Sequence, residues 1–386
     1  MGSHQQPIAP EKKIQQLVAL KQAGSFSLSQ TGYPVPAPDE ICIRNRAVGL
    51  NQLDNKNFDR GMMIRPEQWP VVLGMDTAGV VEVVGAKVTG FKAGDAVVSV
   101  AGLPGRPGTQ GDRNKMSAFQ DVTTVPATWA SRKPKGWSFA EACSVPMCYL
   151  AAAATITHGL CTPLPFLQSA GPGTPGVGTP QQQSPPVIKS VLVLGGSSGV
   201  GASAIQLLRI ALPKAKIIST NSVSQNKRVM DMGADAWVDR HLEVEEIIAA
   251  TRNQNDERGV DAILDAVGYA GESPKVLRVL RDDGPRMYAY VMTDKEEREV
   301  PEGVRAMRCF AGMMLNTLAP GPLGGKAVGS AASGSGAMAK LVDLVDEGKF
   351  KLPLDVQVVG QELGDIPAGL KMLKEGVSGT KLVVAL

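Results

Sequence analysis

The run Leu194-Gly195-Gly196-Ser197-Ser198-Gly199-Val200-Gly201 is the segment best suited to binding a phosphate. It lies between a short apolar stretch, Ser190 to Leu194, and a helix-favouring stretch, Ala202 to Ala211. Glycines let a backbone turn tightly and approach a pyrophosphate, and a helix start offers free N–H groups and partial positive charge. A glycine cluster alone also suits an ordinary tight turn. The strand–loop–helix setting favours a phosphate cradle built from Ser198, Gly199, Val200 and Gly201. A second strand, Lys216 to Thr220, follows, and its end is where an adenosine ribose is read. A carboxylate there would hold the ribose hydroxyls, but this chain has Thr220-Asn221-Ser222, with Lys227, Arg228 and Arg240 beyond. Hydroxyls and cations without an acid suit a 2′-phosphate. The run Ser222, Val223, Ser224, Gln225, Asn226 and Lys227, with Arg240, therefore predicts NADPH rather than NADH. Solvated helix-surface charge is the plainer reading of Lys227 and Arg228.

Other chemistries are poorly supplied. The five cysteines are scattered without a CxxC pair, and there are three histidines, so a zinc site with several Cys or His ligands is hard to assemble. Forty Lys and Arg against 37 Asp and Glu leave a net charge of +3, too mild for a nucleic-acid or membrane-surface binder. Apolar residues at 43% are enough for a large core, and 386 residues imply two or three domains. Residues 1–13 are polar, with no signal-like apolar stretch, and a reducing, cytoplasmic setting is expected. The most apolar long run, Ala142 to Cys161, is broken by Pro146 and carries His158, which predicts a buried helix rather than a membrane span.

The elements that must position these residues fall into two styles. Residues 14–130 read as short β-branched strands separated by glycine turns, which predicts a β-barrel-like unit. A helical stretch over Phe139–Gly159 leads into a Pro/Gly/Gln-rich loop, 162–186. Beyond it, strands at Ser190–Leu194, Lys216–Thr220, Ala236–Asp239, Ala262–Asp265 and Arg286–Val291 alternate with helices, which predicts a parallel sheet. A Gly/Ser/Ala stretch follows at 318–336, then a helix from Met338, and strands Leu354–Val359 and Lys381–Leu386 flank a helix near Pro367–Glu375.

The segments Ala47-Val48-Gly49-Leu50-Asn51-Gln52-Leu53-Asp54, Leu73-Gly74-Met75-Asp76-Thr77-Ala78-Gly79 and Val88 to Val97, with the glycine loop, resemble the medium-chain dehydrogenase/reductase superfamily in order and spacing. The resemblance implies an α/β protein: a GroES-like β-barrel catalytic domain over 1–150, with 325–386 returning to it. A Rossmann doubly wound parallel sheet over 151–324 would bind NADPH. Zinc alcohol dehydrogenases of this superfamily carry Cys where this chain has Asn51, and Gly-His-Glu at Gly74-Met75-Asp76. Their four-Cys lobe has no counterpart around 101–115. No metal is expected, which points to the branch of quinone oxidoreductases and enoyl reductases.

Within that branch the chain resembles the trans-acting enoyl reductases of fungal polyketide biosynthesis, the lovastatin type. The carrying residues are Gly159 to Pro165 before a Pro-rich insert, Asn51 to Lys56, and the ending Gly369 to Val384. The resemblance implies hydride transfer from NADPH to an α,β-unsaturated thioester on the acyl carrier protein of a polyketide or hybrid synthase. It places Leu53, Asp54, Asn55 and Lys56 beside the nicotinamide, with Lys56 the candidate catalytic group or a solvated brace. Asp54 orients its neighbours or caps a turn. Thr380 and Lys381 match positions that approach the nucleotide, and Tyr288 and Tyr290 either shape the cofactor pocket or pack as core aromatics. Ala152, Ala153, Ala154, Thr155, Ile156, Thr157, His158 and Gly159 fall along the acyl channel. Arg106 and Arg113 are candidate contacts for an acidic carrier protein, and a monomer is expected. Two departures stand out: Ala151 where the family commonly has Thr, and Leu53 where it has Ser. The same residues would serve a free-standing small-molecule quinone or enone reductase, and the two departures keep open an NADPH-binding partner subunit with little turnover.

Overall fold

Period-two burial organises the first third of the chain. The strands are β1 (Lys13–Ala19), β2 (Phe26–Gly32), β3 (Glu40–Gly49), β4 (Val71–Val72), β5 (Asp76–Val84), β6 (Ala96–Val100), β7 (Val122–Pro126) and β8 (Ala130–Arg132). Helix α1 (Gln52–Arg60) lies between β3 and β4, and the short α2 (Arg113–Met116) precedes β7. The computed structural model describes residues 12–103, 113–167, 185–291, 299–315 and 335–386. Much of the loops read at 101–115, 162–186 and 318–336 lies outside them, as does Arg106. Strands β1, β2 and β4 form one antiparallel sheet, while β3, β5, β6 and β8 form the larger one, with β7 also on β3. Their apolar residues, among them Ile41, Ile43, Val48, Val81, Val97 and Val125, make one core with Phe119, which lies between α2 and β7.

The 139–159 stretch is helical but not continuous. Helix α3 (Phe139–Cys143) is capped by Ser138, whose Oγ accepts the Glu141 N–H at 3.1 Å. Helix α4 (Pro146–Ala154) restarts at a proline, which lacks the N–H needed to continue the first helix. It ends in a wider turn over Thr155–Gly159. This is the one helical stretch among the described residues long and apolar enough to cross a membrane, and most of it is buried inside the protein.

Next come β9 (Ser190–Leu194), α5 (Gly199–Ala211), β10 (Lys216–Asn221), α6 (Asn226–Asp231), β11 (Ala236–Asp239) and α7 (Val244–Asn253). They are followed by β12 (Ala262–Asp265), α8 (Tyr269–Glu272), β13 (Met287–Val291) and β14 (Arg305–Cys309). These six strands are all parallel, in the order β11-β10-β9-β12-β13-β14. That is the doubly wound arrangement, with its switch point beside β9. Helices cover both faces, so β9 is buried along its whole length, as a central parallel strand must be.

The chain then gives α9 (Ser335–Asp346), β15 (Asp355–Gly360), α10 (Ile366–Glu375) and β16 (Thr380–Ala385). Strands β15 and β16 join the sheet of β3, with β16 antiparallel to it. The two halves are tied directly. Gln206 on α5 exchanges two hydrogen bonds with the Lys351 backbone, at 2.8 and 3.2 Å, and Arg228 pairs with Asp355. Helix α4 packs against α5, so a Cβ on Gly199 would meet Cys148 Sγ at 2.5 Å.

Candidate active site

The glycine loop leaves β9 at the switch point and folds back on itself. Gly195 adopts φ +75°, a conformation glycine reaches without strain. A Cβ on Gly201 would lie 2.2 Å from the Gly195 carbonyl oxygen. Thr220 anchors the loop: its Oγ1 accepts the Gly195 N–H at 3.0 Å and its carbonyl the Gly196 N–H at 2.9 Å. Ser198 caps α5 by accepting the Gly201 N–H at 3.1 Å. The N–H groups of Gly199 and Val200 open the helix with no intrahelical acceptor. A loop this bare, aimed along a helix dipole, fits a dinucleotide pyrophosphate.

At the end of β10 the structure brings together part of the predicted nucleotide set. Arg240 Nε donates to Ser222 Oγ at 2.9 Å on the surface. Val223, Ser224 and Gln225 form a single turn beside them. Asn226 accepts from Asn221 Nδ2 at 2.8 Å and so holds that turn. Lys227 is turned to Asp231 at 2.6 Å, and Arg228 to Asp355. The two adjacent cations are thus helix-surface ion pairs, and the basic group facing Ser222 is Arg240.

In the GroES-like part, the ends of β3, β5 and β16 enclose a buried polar cluster. Lys381 Nζ donates to Asn51 Oδ1 at 2.6 Å and to Asp76 Oδ2 at 3.0 Å. Asn51 Nδ2 donates to Asp76 Oδ2 at 2.9 Å, and Asp76 Oδ1 accepts the Met147 N–H at the start of α4 at 2.8 Å. Burial alone would depress the Lys381 ammonium, but the Asp76 carboxylate more than reverses that and holds it above the usual lysine range. Lys381, expected to approach the nucleotide, is the internal cation of this cluster. Its neighbour Thr380 is half-buried and donates to the Ser378 carbonyl at 3.2 Å.

The same residues occupy the positions where a metal would be held. Met75 is buried in the apolar core. Asp76 is committed to Lys381, Asn51 and Met147, and an ammonium already lies between the amide and the carboxylate. These residues do not fit a metal ion.

Asp54 is wholly buried; its Oδ2 accepts the Asn51 N–H at 2.8 Å and its Oδ1 has no hydrogen-bond partner. Desolvation, with Asp76 nearby, pushes its pKa up to about 7. A carboxyl that releases its proton in the unfolded chain near 3.8 but holds it to about 7 when folded makes stability fall as pH rises across that window. Asp54→Asn mimics the protonated acid. Relative to wild type it is expected to gain stability between pH 4 and pH 7, by up to about 4 kcal/mol, and to level off above. Urea unfolding of both proteins across this range checks it; parallel pH curves would refute it.

The remaining predicted residues divide. On α1, Asn55, expected beside the nicotinamide, is buried and donates to the Leu370 carbonyl of α10 at 3.0 Å. Leu53 and Lys56, three residues apart, share a half-buried face. Ala152, Ala153, Ala154, Thr155 and Ile156 are completely buried in the core, so they do not line an open channel. Helix α4 is apolar on every face, and a helix of that kind sinks into the interior. Gly159 is pressed against Ala289 and Cys309, which leaves Thr157 and His158 half-exposed. His158 Nε2 is unpartnered, and burial lowers the imidazole pKa. Tyr288 is fully buried, stacks on Tyr290 and donates to Asp265 at 3.2 Å; both tyrosines are core aromatics.

Sequence reasoning missed Asp76 and Asp265. Asp265 ends β12 and accepts the N–H groups of Val267, Gly268, Tyr269 and Ala270, shaping the loop beside Gly195. The available signal for both was a lone carboxylate in an apolar strand, which is costly unless it is fully hydrogen-bonded.

Residues 37–152 match the alcohol dehydrogenase GroES-like domain family. The chain is 30% identical to the dehydrogenase orsE of Emericella nidulans over 381 residues, covering 95% of this chain and 97% of that one. It is 26% identical to the trans-enoyl reductase tndF of Aspergillus flavipes over 391 residues, covering 97% and 99%. Its fold superposes on the crystal structure of CurK enoyl reductase with a TM-score of 0.70 at 19% identity, covering 97% and 99%. A GroES-like unit, a 3-2-1-4-5-6 parallel sheet and full-length similarity to these reductases lead to one assignment: the chain is an oxidoreductase of the medium-chain dehydrogenase/reductase family, related to the fungal trans-enoyl reductases.

Proposed function

We propose that the protein is a cytoplasmic, NADPH-dependent, metal-independent trans-acting enoyl reductase that reduces a carrier-bound α,β-unsaturated thioester for a polyketide or hybrid synthase. The observation that carries the cofactor reading is the Arg240–Ser222 contact at the end of β10, a strand that itself ends without a carboxylate. The full-length relative named a trans-enoyl reductase supports the substrate class. When bound, NADPH supplies the hydride that reaches the β-carbon. Gly199 and Val200 would hold its pyrophosphate, and Ser222 with Arg240 its 2′-phosphate. The half-buried Leu53 and Lys56 would border the nicotinamide. The Lys381–Asn51–Asp76 cluster fixes the start of α4 against α1. On this metal-independent reading, rate enhancement rests on positioning and on polarising the thioester carbonyl.

The test is NADPH consumption with crotonyl-pantetheine and crotonyl carrier protein, with NADH in parallel. Reduction of the thioesters with NADPH in preference to NADH is expected. Arg240→Ala should weaken NADPH binding roughly 10- to 100-fold with little change for NADH. Turnover of simple enones or quinones but of neither thioester would replace this reading with a small-molecule reductase. NADPH binding without any turnover would point to a partner subunit.

A further inference from the structure

A cavity of about 400 Å³ opens where the chain enters β12 and β13, and Arg252, Arg278, Arg281 and Arg286 line it. Arg252 comes from the last turn of α7, Arg278 from the turn Pro274–Val279, and Arg281 and Arg286 from the loop that leads into β13. This is the amino-terminal end of the parallel sheet, whereas the glycine loop leaves its carboxyl end. Strand β12 has four residues and β13 five, so at about 3.3 Å per residue roughly 13–17 Å of sheet separates the two. The cavity is no part of the cofactor cleft.

The four arginines are held to different degrees. Arg281 is anchored: its Nε lies 2.6 Å from Asp261 Oδ1, and Asp261 is completely buried, its Oδ2 accepting the Lys189 and Ser190 N–H groups at 2.6 and 3.0 Å. Arg252 Nη2 donates to the Arg278 carbonyl at 3.0 Å, which ties α7 to the turn and leaves the charge in place. Arg278 Nη1 lies 3.6 Å from Glu245, and both side chains are more than half exposed. Arg286 Nη1 lies 3.4 Å from Asp282, whose side chain is 94% exposed. Exposed pairs of this length contribute little, so an incoming anion can replace Glu245 and Asp282. Arg286 also adopts φ +49°, a conformation costly for a residue with a side chain and concentrated at functional sites. The shape of the site indicates which anion. Its guanidinium groups arrive from three segments of the chain. A carboxylate presents two oxygens in one plane, whereas a phosphate presents three in different directions and carries close to two charges. Glu257 and Asp282 also line the cavity and would repel a weakly charged anion. The volume lies at the lower end of the range for small-molecule sites and leaves room beside a phosphate for an organic body.

We propose that this arginine-lined cavity binds a phosphate-bearing small molecule, at a site separate from the cofactor cleft. Calorimetric titration with inorganic pyrophosphate, at an ionic strength matched with sodium chloride, tests it in wild type, Arg278→Gln, Arg252→Gln, Arg65→Gln and Gly201→Ala. The three arginines substituted are exposed, so the core is left intact. Wild type is expected to bind, and the affinity should fall roughly 10-fold in Arg278→Gln and in Arg252→Gln. Arg65→Gln removes an equal charge elsewhere, Gly201→Ala disturbs the glycine loop, and both should bind as wild type does. No binding by wild type, or unchanged binding in Arg278→Gln and Arg252→Gln, overturns the proposal. A loss confined to Gly201→Ala also overturns it, because the anion would then sit on the glycine loop. An equal loss in all three arginine variants overturns it as well, since net charge alone would account for the binding. Fructose 1,6-bisphosphate titrated alongside separates the sources. An organic phosphate ligand predicts that it binds more tightly than pyrophosphate, and a free anion predicts the reverse. A loss in Arg278→Gln supports the site in either case.

Discussion

Lys381→Met is expected to destabilise the protein by about 3–5 kcal/mol, because it strands a buried carboxylate. Asp76 is completely buried, and among the described residues Lys381 is its one cationic partner at hydrogen-bond distance. Its Oδ1 already accepts the Met147 N–H, so the carboxylate cannot turn away to find water without releasing α4. The ammonium also holds the Asn51 side chain, so three elements (β16, the start of α1 and α4) loosen together. Asp76→Asn alone strands the ammonium instead and should cost a comparable amount. The double variant removes both charges while keeping an acceptor for Met147, and it should recover much of the loss. A coupling energy of at least about 2 kcal/mol from urea unfolding of the four proteins would establish the pair. Additive single effects would refute it. The sign of the pH dependence is also fixed. A lysine whose folded pKa is raised above its ordinary 10.5 contributes its stability fully below that value, so the coupling should be constant through neutral pH.

The parallel sheet was legible because its strands are short, apolar and separated by helices of ordinary length. The run Ser190–Leu194 and the glycines after it needed no tertiary information to be placed. Strand β14 escaped notice because Arg305-Ala-Met-Arg-Cys309 has no alternation, and an edge strand needs little burial on either side. Helix α1 went unread for a related reason. It buries Asp54, Asn55 and Asn57, three polar residues whose partners are capping and long-range backbone groups. A hydrophobic period cannot announce such a helix.

The site was half legible, and the division follows range. The phosphate loop and the Ser222–Arg240 corner are built from one βαβ unit, so local sequence carried them. The polar cluster is built from residues 51, 76, 147 and 381, whose meeting is set by sheet topology alone. The same blindness placed Ala152 to Ile156 along a channel. An all-apolar helix reads equally as a channel wall or as core, and packing on α5 and α9 made it core.

Gly201→Ala is the most economical test of the cradle. A Cβ there lies 2.2 Å from the Gly195 carbonyl oxygen and 2.7 Å from Gly196 Cα. Both are backbone atoms, so no side chain can move aside to absorb the methyl group. Gly195 and Gly196 are each held by one bond to Thr220, and Gly201 by the Ser198 cap. Relief must therefore come from opening the loop, which moves the N–H groups of Gly199 and Val200 away from the pyrophosphate position. Forcing a methyl group into such a contact costs about 1–3 kcal/mol. Expressed in cofactor affinity, that is a loss of roughly 5- to 150-fold. Gly90→Ala is the matched control, since a Cβ at Gly90 meets nothing within 4 Å. Titration of nicotinamide fluorescence with the two variants separates the outcomes. Weakened binding in Gly201→Ala with unchanged binding in Gly90→Ala locates the dinucleotide on this loop. Wild-type affinity in Gly201→Ala would mean that the cofactor lies elsewhere, and the hydride chemistry assigned to this cleft would have to move with it.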